Sequence, residues 1–116
     1  MLMTIPELLN KVQKNITKIT AQQALPLVRE QGSLLLDVRE PNEVSQQAVI
    51  GAVNIPRGVL EMKMLTLHPD EHKQIIIHCA TSARASLAAE QLQRIGYKNV
   101  AVISCNLEVI CECFTQ

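Results

Sequence analysis

Gln74-Ile75-Ile76-Ile77-His78-Cys79-Ala80-Thr81-Ser82-Ala83-Arg84-Ala85 reads as a strand, a tight loop and the opening of a helix. Ile75, Ile76 and Ile77 are consecutive β-branched residues, the pattern of a parallel strand covered on both faces. Ala85, Leu87, Ala88, Ala89, Leu92 and Ile95 then recur at helical spacing, and Gly96 is placed to end the helix with a left-handed residue. The bridge Ala80-Thr81-Ser82-Ala83 is built of small side chains, so its backbone N–H groups can turn inward as an anion cradle at a helix N-terminus.

Cys79 sits at the mouth of that cradle, and Arg84 follows five positions later. An ordinary thiol is mostly protonated at neutral pH. Helix N-termini and nearby cations favour the thiolate, which is the nucleophile. Arg84 adds a permanent charge and fork-shaped donors suited to an oxyanion. The bland alternative is a small inert cysteine at a strand end. The loop and the arginine together tip the reading toward a reactive thiol.

Working outward, Ser33-Leu34-Leu35-Leu36-Asp37-Val38-Arg39-Glu40 is a second buried strand ending in charge, and Pro41-Asn42 marks a turn before a short helix over 43–46. Ala52 to Pro56 is a short strand, Arg57 to Leu67 a helix with Leu60, Met64 and Leu67 on one face, and Val100 to Ile103 the last strand. Thr4-Ile5-Pro6-Glu7 is a capping signal for an N-terminal helix, with Ile5, Leu8, Leu9, Val12 and Ile16 on one face. That face is expected to pack on the core, and it could also join two copies as a homodimer. Thr20-Ala21-Gln22-Gln23 opens another helix, in which Pro26 is expected to cause a kink or an early stop. Strands alternating with helices predict an α/β fold, a parallel sheet covered on both sides with its site beyond the carboxyl ends of the strands. Cys79 and Asp37 both lie at such ends.

A chain of 116 residues with 47% hydrophobic content is one domain with a real core. Tyr97 and Phe114 are its only aromatic residues, so that core is aliphatic. Eleven basic residues balance eleven acidic ones, which supports neither nucleic-acid nor membrane-surface binding. No stretch is long and apolar enough to span a bilayer, and the first residues lack the basic and apolar regions of a secretory leader. A cytoplasmic chain is expected, with Cys79, Cys105, Cys111 and Cys113 reduced. Cys111-Glu112-Cys113 lacks the spacing of a zinc pair, so no metal site is expected, and the tail reads as a terminal helix or strand.

Four motifs then carry a resemblance: Asp37-Val38-Arg39-Glu40 with Glu43, Gly51-Ala52-Val53-Asn54-Ile55-Pro56, His78 to Ala85, and Leu92 to Val100. In this order, from about Ile19 to Ile103, they resemble the single-domain rhodaneses, a family of sulfurtransferases. The resemblance implies a central parallel sheet of about five strands with helices on both faces, here with residues 1–18 as an added N-terminal helical extension. It implies no cofactor. Cys79 would take a sulfane sulfur as a persulfide from thiosulfate, polysulfide or a persulfide donor, and pass it to a thiol, cyanide or protein-thiol acceptor with ping-pong kinetics. Ala80, Thr81, Ser82, Ala83, Arg84 and Ala85 match the loop around the sulfur. Asp37 and Arg39 match a strand-end pair with a supporting role. His78 would point away from Cys79, as strand neighbours do.

The chain departs from the family pattern in three places. Gln47-Ala48-Val49 stands where Gly-His-Ile is common. Ser104-Cys105-Asn106-Leu107 and Ile110 replace a Gly-Gly pair and a tryptophan-bearing helix, with Asn106 able to take a left-handed turn. The loop holds no cation besides Arg84, so a dianionic donor would rest on the N–H groups, Arg84 and Arg57. Cys105, expected near the loop, could serve as a resolving thiol, though a packing role is the simpler expectation. Two rivals stand beside sulfur transfer. A cysteine-dependent phosphatase or arsenate reductase uses a similar cradle, but phosphatases of this fold carry one more residue between cysteine and arginine. A non-enzymatic persulfide carrier or regulatory binding module would keep the same loop.

Overall fold

The computed structural model describes residues 1–115. Its frame is a parallel sheet of five strands, β1 (Thr17–Ile19), β2 (Leu34–Asp37), β3 (Val53–Asn54), β4 (Gln74–His78) and β5 (Asn99–Ile103), in the spatial order β1-β5-β4-β2-β3. The helices are α1 (Ile5–Gln13), α2 (Ala21–Arg29), α3 (Pro41–Gln46), α4 (Leu60–Leu67), α5 (Ala83–Arg94) and α6 (Leu107–Cys113), with a single 3₁₀ turn at Arg57–Val59 before α4. The isoleucine run is the middle strand. Leu36 lies beside Ile77 and Asp37 beside His78 across the β2–β4 pairing.

Strand alternation divides the core into two layers. Leu34, Leu36, Val38, Ile75, Ile77, Cys79, Val100 and Val102 pack with Val12, Leu60, Met64 and the small residues of α5. Leu35, Ile76 and Ile103 face the other way, against Ala21, Ala24, Ile110 and Phe114 of the α2–α6 layer. Ala85, Ala88 and Ala89 let α5 lie close to the sheet, and burying each large aliphatic side chain contributes roughly 1.5–3 kcal/mol. None of the helices is long and apolar enough to cross a membrane among the described residues.

Several expectations are corrected. The N-terminal extension is helical only to Gln13. Thr17 and Lys18 belong to β1, where the β-branched pair Ile16-Thr17 and Ile19 suit an edge strand against β5. Capping boxes at Thr4 and Thr20 do open α1 and α2. Helix α2 continues through Pro26 to Arg29, because the missing N–H forfeits one helical bond while the Pro26 carbonyl still accepts from Glu30 and Gln31. Residues 57–67 are split between the 3₁₀ turn and α4. Leu60 and Met64 are buried, whereas Leu67 is 57% exposed at the helix end. Asn106 is extended rather than left-handed and caps α6, its side-chain oxygen accepting from the Val109 N–H.

One buried pair shapes the end of the sheet that carries the site. Asp37 and Arg39 are 1% and 2% exposed and joined at 2.8 Å. The same guanidinium donates to the Gln47 carbonyl, and the Asn54 amide donates to the Asp37 and Arg39 carbonyls. These bonds tie β2, α3 and β3 together. Removing one partner leaves an uncompensated buried charge, so Asp37→Ala is expected to lower unfolding free energy by about 3–5 kcal/mol in urea titration. A loss under about 1 kcal/mol would contradict this account of the pair.

Candidate functional site

Four residues, 79–82, separate the end of β4 from the start of α5. Cys79 is the first of them. The strand's alternation sends His78 to the α2–α6 side and Cys79 to the α5 side, where the helix begins. The Cys79 Sγ accepts a hydrogen bond from the Ala85 N–H at 3.3 Å and is 1% exposed. Among the described residues Ala85 is the one loop residue whose N–H reaches the sulfur, rather than the full ring of donors expected from Ala80 to Ala85. Thr81 is exposed at the loop tip, and Ala80, Ser82, Ala83 and Arg84 are half-buried.

The turn is tight enough to force Ser82 into left-handed backbone, at φ 77°. A side chain bearing a Cβ is disfavoured there by roughly 1–2 kcal/mol. The conformation is held by Ser86, whose N–H and hydroxyl both donate to the Ser82 carbonyl, at 2.9 and 2.8 Å. The strained residue also aims the N-terminus of α5 at the sulfur.

Arg84 faces outward from the loop and is clamped. Its two terminal nitrogens donate to the two carboxylate oxygens of Glu43 on α3, at 2.6 and 2.9 Å. Glu43 also accepts from the Glu40 N–H. The Arg84 guanidinium, helped by that N–H, holds the Glu43 carboxyl down at about 2, and Glu43 in turn raises Arg84 further. The clamp therefore stays ionised through the neutral range. On the other flank the Leu107 N–H of α6 donates to the Ala80 carbonyl at 3.1 Å. Loop and neighbours are thus fastened at both ends, and the Arg84 fork is already occupied. Glu43 is the residue that sequence reasoning left without a role. Its place three positions after Glu40 marks a helix start but names no partner 41 positions away.

The remaining predicted residues separate into distinct places. Asp37 and Arg39 bind each other and the backbone around β2 and β3, and neither hydrogen-bonds the Cys79 sulfur. His78 is fully buried with neither ring nitrogen hydrogen-bonded among the described residues. Burial pushes its pKa down, only partly opposed by Asp37 at 3.6 Å. It is neutral and on the wrong side of the strand to serve Cys79. Arg57, beyond β3, is paired with Glu61 at 3.1 Å. Cys105 turns toward α2, where its Sγ accepts from the Ala21 N–H at 3.4 Å, and packs in the α2–α6 layer. It is not joined to Cys79, which packs in the opposite layer. Cys111 lies against the Ala48 carbonyl, and burial raises its thiol. No group of side chains able to hold a metal occurs among the described residues. Beside the loop, a cleft of about 280 Å³ is lined by Gln47, Ala80, Asn106, Leu107 and Glu108.

Residues 20–112 match the model of the rhodanese-like domain. The chain belongs to the rhodanese-like family. Over 65 residues it is 32% identical to thiosulfate sulfurtransferase PspE of Escherichia coli, a match spanning 56% of this chain and 62% of that one. The single-domain sulfurtransferase RDL2 of Saccharomyces cerevisiae superposes with a TM-score of 0.67 at 28% identity, over 84% of this chain and 89% of its own. A protein of unknown function from Rhodopseudomonas palustris, described as a possible tyrosine phosphatase, superposes at TM-score 0.83 and 24% identity, over 97% and 92% of the two chains. That last likeness shows the fold alone.

The rhodanese-like loop yields two predictions. Ser82→Gly removes the left-handed strain and is expected to stabilise the fold by about 1 kcal/mol in denaturant titration; destabilisation would show that the Ser82 side chain is needed. The second concerns the clamp. Because the Glu43 carboxyl is depressed, its contribution is complete above its ordinary value of 4.5 and lost as pH falls toward about 2. The stability gap between wild type and Glu43→Gln should be widest above about pH 5 and close near pH 2. A gap independent of pH would contradict the assignment.

Proposed function

We propose that this rhodanese-like chain is a sulfurtransferase that carries sulfane sulfur as a persulfide on Cys79. The observation that carries the reading is the placement of Cys79. Its sulfur receives the Ala85 N–H at the start of α5, inside a loop with four residues between Cys79 and Arg84. The named sulfurtransferase relatives support it.

In the first half-reaction the Cys79 thiolate attacks the outer sulfur of the donor. The donor's S–S bond breaks, and its inner sulfur departs with the bonding electrons, as a thiolate from a persulfide or as sulfite from thiosulfate. In the second, a thiolate or cyanide attacks the outer sulfur, and the electron pair of the S–S bond returns to Cys79. No oxidant is consumed. The N–H at the sulfur and the N-terminus of α5 stabilise negative charge on Cys79 when it is attacking and when it is leaving. His78 is not needed as a base, and the thiol proton goes to water.

Burial of Cys79 at 1% exposure favours a slim reacting atom. A terminal sulfur can enter where a tetrahedral phosphoryl group with three oxygens needs a wider loop and free donors. Arg84, the obvious donor to such a group, is held by Glu43. The geometry therefore favours sulfur transfer over ester hydrolysis.

Incubation with thiosulfate or an inorganic polysulfide, followed by intact-mass measurement, is expected to show the gain of one sulfur atom, discharged by cyanide or a thiol. Cys79→Ser should abolish the gain. Cys105→Ser should load and discharge like wild type, since that thiol serves the α2 end rather than the loop. Absence of any sulfur gain together with Cys79-dependent hydrolysis of a phosphate ester would overturn the reading in favour of a phosphatase.

A further inference from the structure

We propose that Ser82 is a positioning residue: its left-handed backbone keeps its hydroxyl off the N-terminus of α5, so that the Ala85 N–H is left for the Cys79 sulfur; this rests on sulfur transfer through Cys79. Three other helices of the chain show the ordinary arrangement. Thr4, Thr20 and Asn106 precede α1, α2 and α6 in extended backbone, at φ −78°, −82° and −76°. The side-chain oxygen of each accepts the N–H three residues on, at 3.3 Å from Glu7, 3.1 Å from Gln23 and 3.1 Å from Val109.

Ser82 stands at the same place before α5, and serine is among the residues best suited to cap a helix. The N–H three residues on is that of Ala85. Yet Ser82 lies at φ 77° and ψ −10°, its side chain makes no cap bond, and the Ala85 N–H goes to the Cys79 Sγ. The sulfur occupies the position of the missing cap. Among the described residues Ser82 is the one residue other than glycine at positive φ, so the departure from the ordinary cap falls on the helix that faces the nucleophile. A neutral thiol sulfur is a weak acceptor, and a hydroxyl at position 82 in extended backbone would take the donor from it. The sulfur would then lose the one loop N–H that reaches it, and less thiolate would form at a given pH.

The test compares two near-isosteric variants of the full chain. Threonine and valine both carry a branched β-carbon, which disfavours positive φ, and they differ in the hydroxyl. Ser82→Thr is expected to return position 82 to extended backbone and hand the Ala85 N–H to the new hydroxyl, visible in a crystal structure. Ser82→Val has no oxygen to offer. Sulfur loading of Cys79 from thiosulfate, whose charge is constant across neutral pH, is read by quenched intact mass as a function of pH. Ser82→Thr should move the midpoint of the rate–pH profile up by about one unit, a tenfold loss of rate below both midpoints. Ser82→Val should lower the plateau rate, as distortion of the turn does, and keep the midpoint. Ser82→Gly accepts the left-handed conformation without a hydroxyl and should also keep the midpoint. Equal midpoints for the threonine and valine variants, or a Ser82→Thr crystal structure in which the Ala85 N–H stays on the sulfur, overturn the role while leaving sulfur transfer standing. A chain that takes no sulfur on Cys79 overturns the sulfur-transfer reading and the role with it.

Discussion

The short return from β4 to α5 is the constraint on which the site depends. A strand buried on both faces ends at His78, and a helix packed on the same sheet begins at Ala83. With so few residues between them the chain must turn sharply, and Ser82 takes the left-handed conformation that permits it. The same turn brings the Ala85 N–H back over the Cys79 sulfur. The seat of Cys79, the strain and the helix terminus are therefore consequences of a single junction. The apolar layers on either side of β4 hold its ends in place, so the local strain is sustained by the packing of the whole sheet.

Two carboxylate–arginine pairs do different work around this junction. Asp37–Arg39 is dry, and its value lies in joining β2, α3 and β3 into a fixed platform. Glu43–Arg84 is partly open to water, and exposed pairs of that kind contribute under about 1 kcal/mol. Its consequence is geometric. The two-pronged contact holds the Arg84 fork on α3. An arginine expected in sequence to meet the substrate is paired with Glu43 in the free protein and fastens the loop to α3.

Much of this was legible in the sequence because it follows from short-range pattern. The run Ile75-Ile76-Ile77, the alanine-rich stripe of α5 and the turn residue Gly96 each signal their structure locally, and Gly96 does adopt a positive φ. The edge strand β1 was not legible. Its three residues are mostly exposed and gain their strand character from pairing with β5, far away in the chain. Leu67 was misplaced because a helical stripe continues on paper past the point where the core ends. The Glu43 clamp, the position of Cys105 against α2 and the cleft at Glu108 all depend on contacts between segments distant in sequence. Eleven acidic residues could each have been the partner of Arg84.

The proposed sulfur transfer requires the junction to hold a single transferable sulfur on Cys79 with Arg84 still paired to Glu43. A crystal structure of the sulfur-loaded protein tests it most directly. One extra sulfur is expected on the Cys79 Sγ within the loop, facing the N–H groups at the start of α5, with the Arg84–Glu43 contact intact. Density for the sulfur on Cys105, Cys111 or Cys113, or an Arg84 side chain released from Glu43 to bind it, would rule out this arrangement.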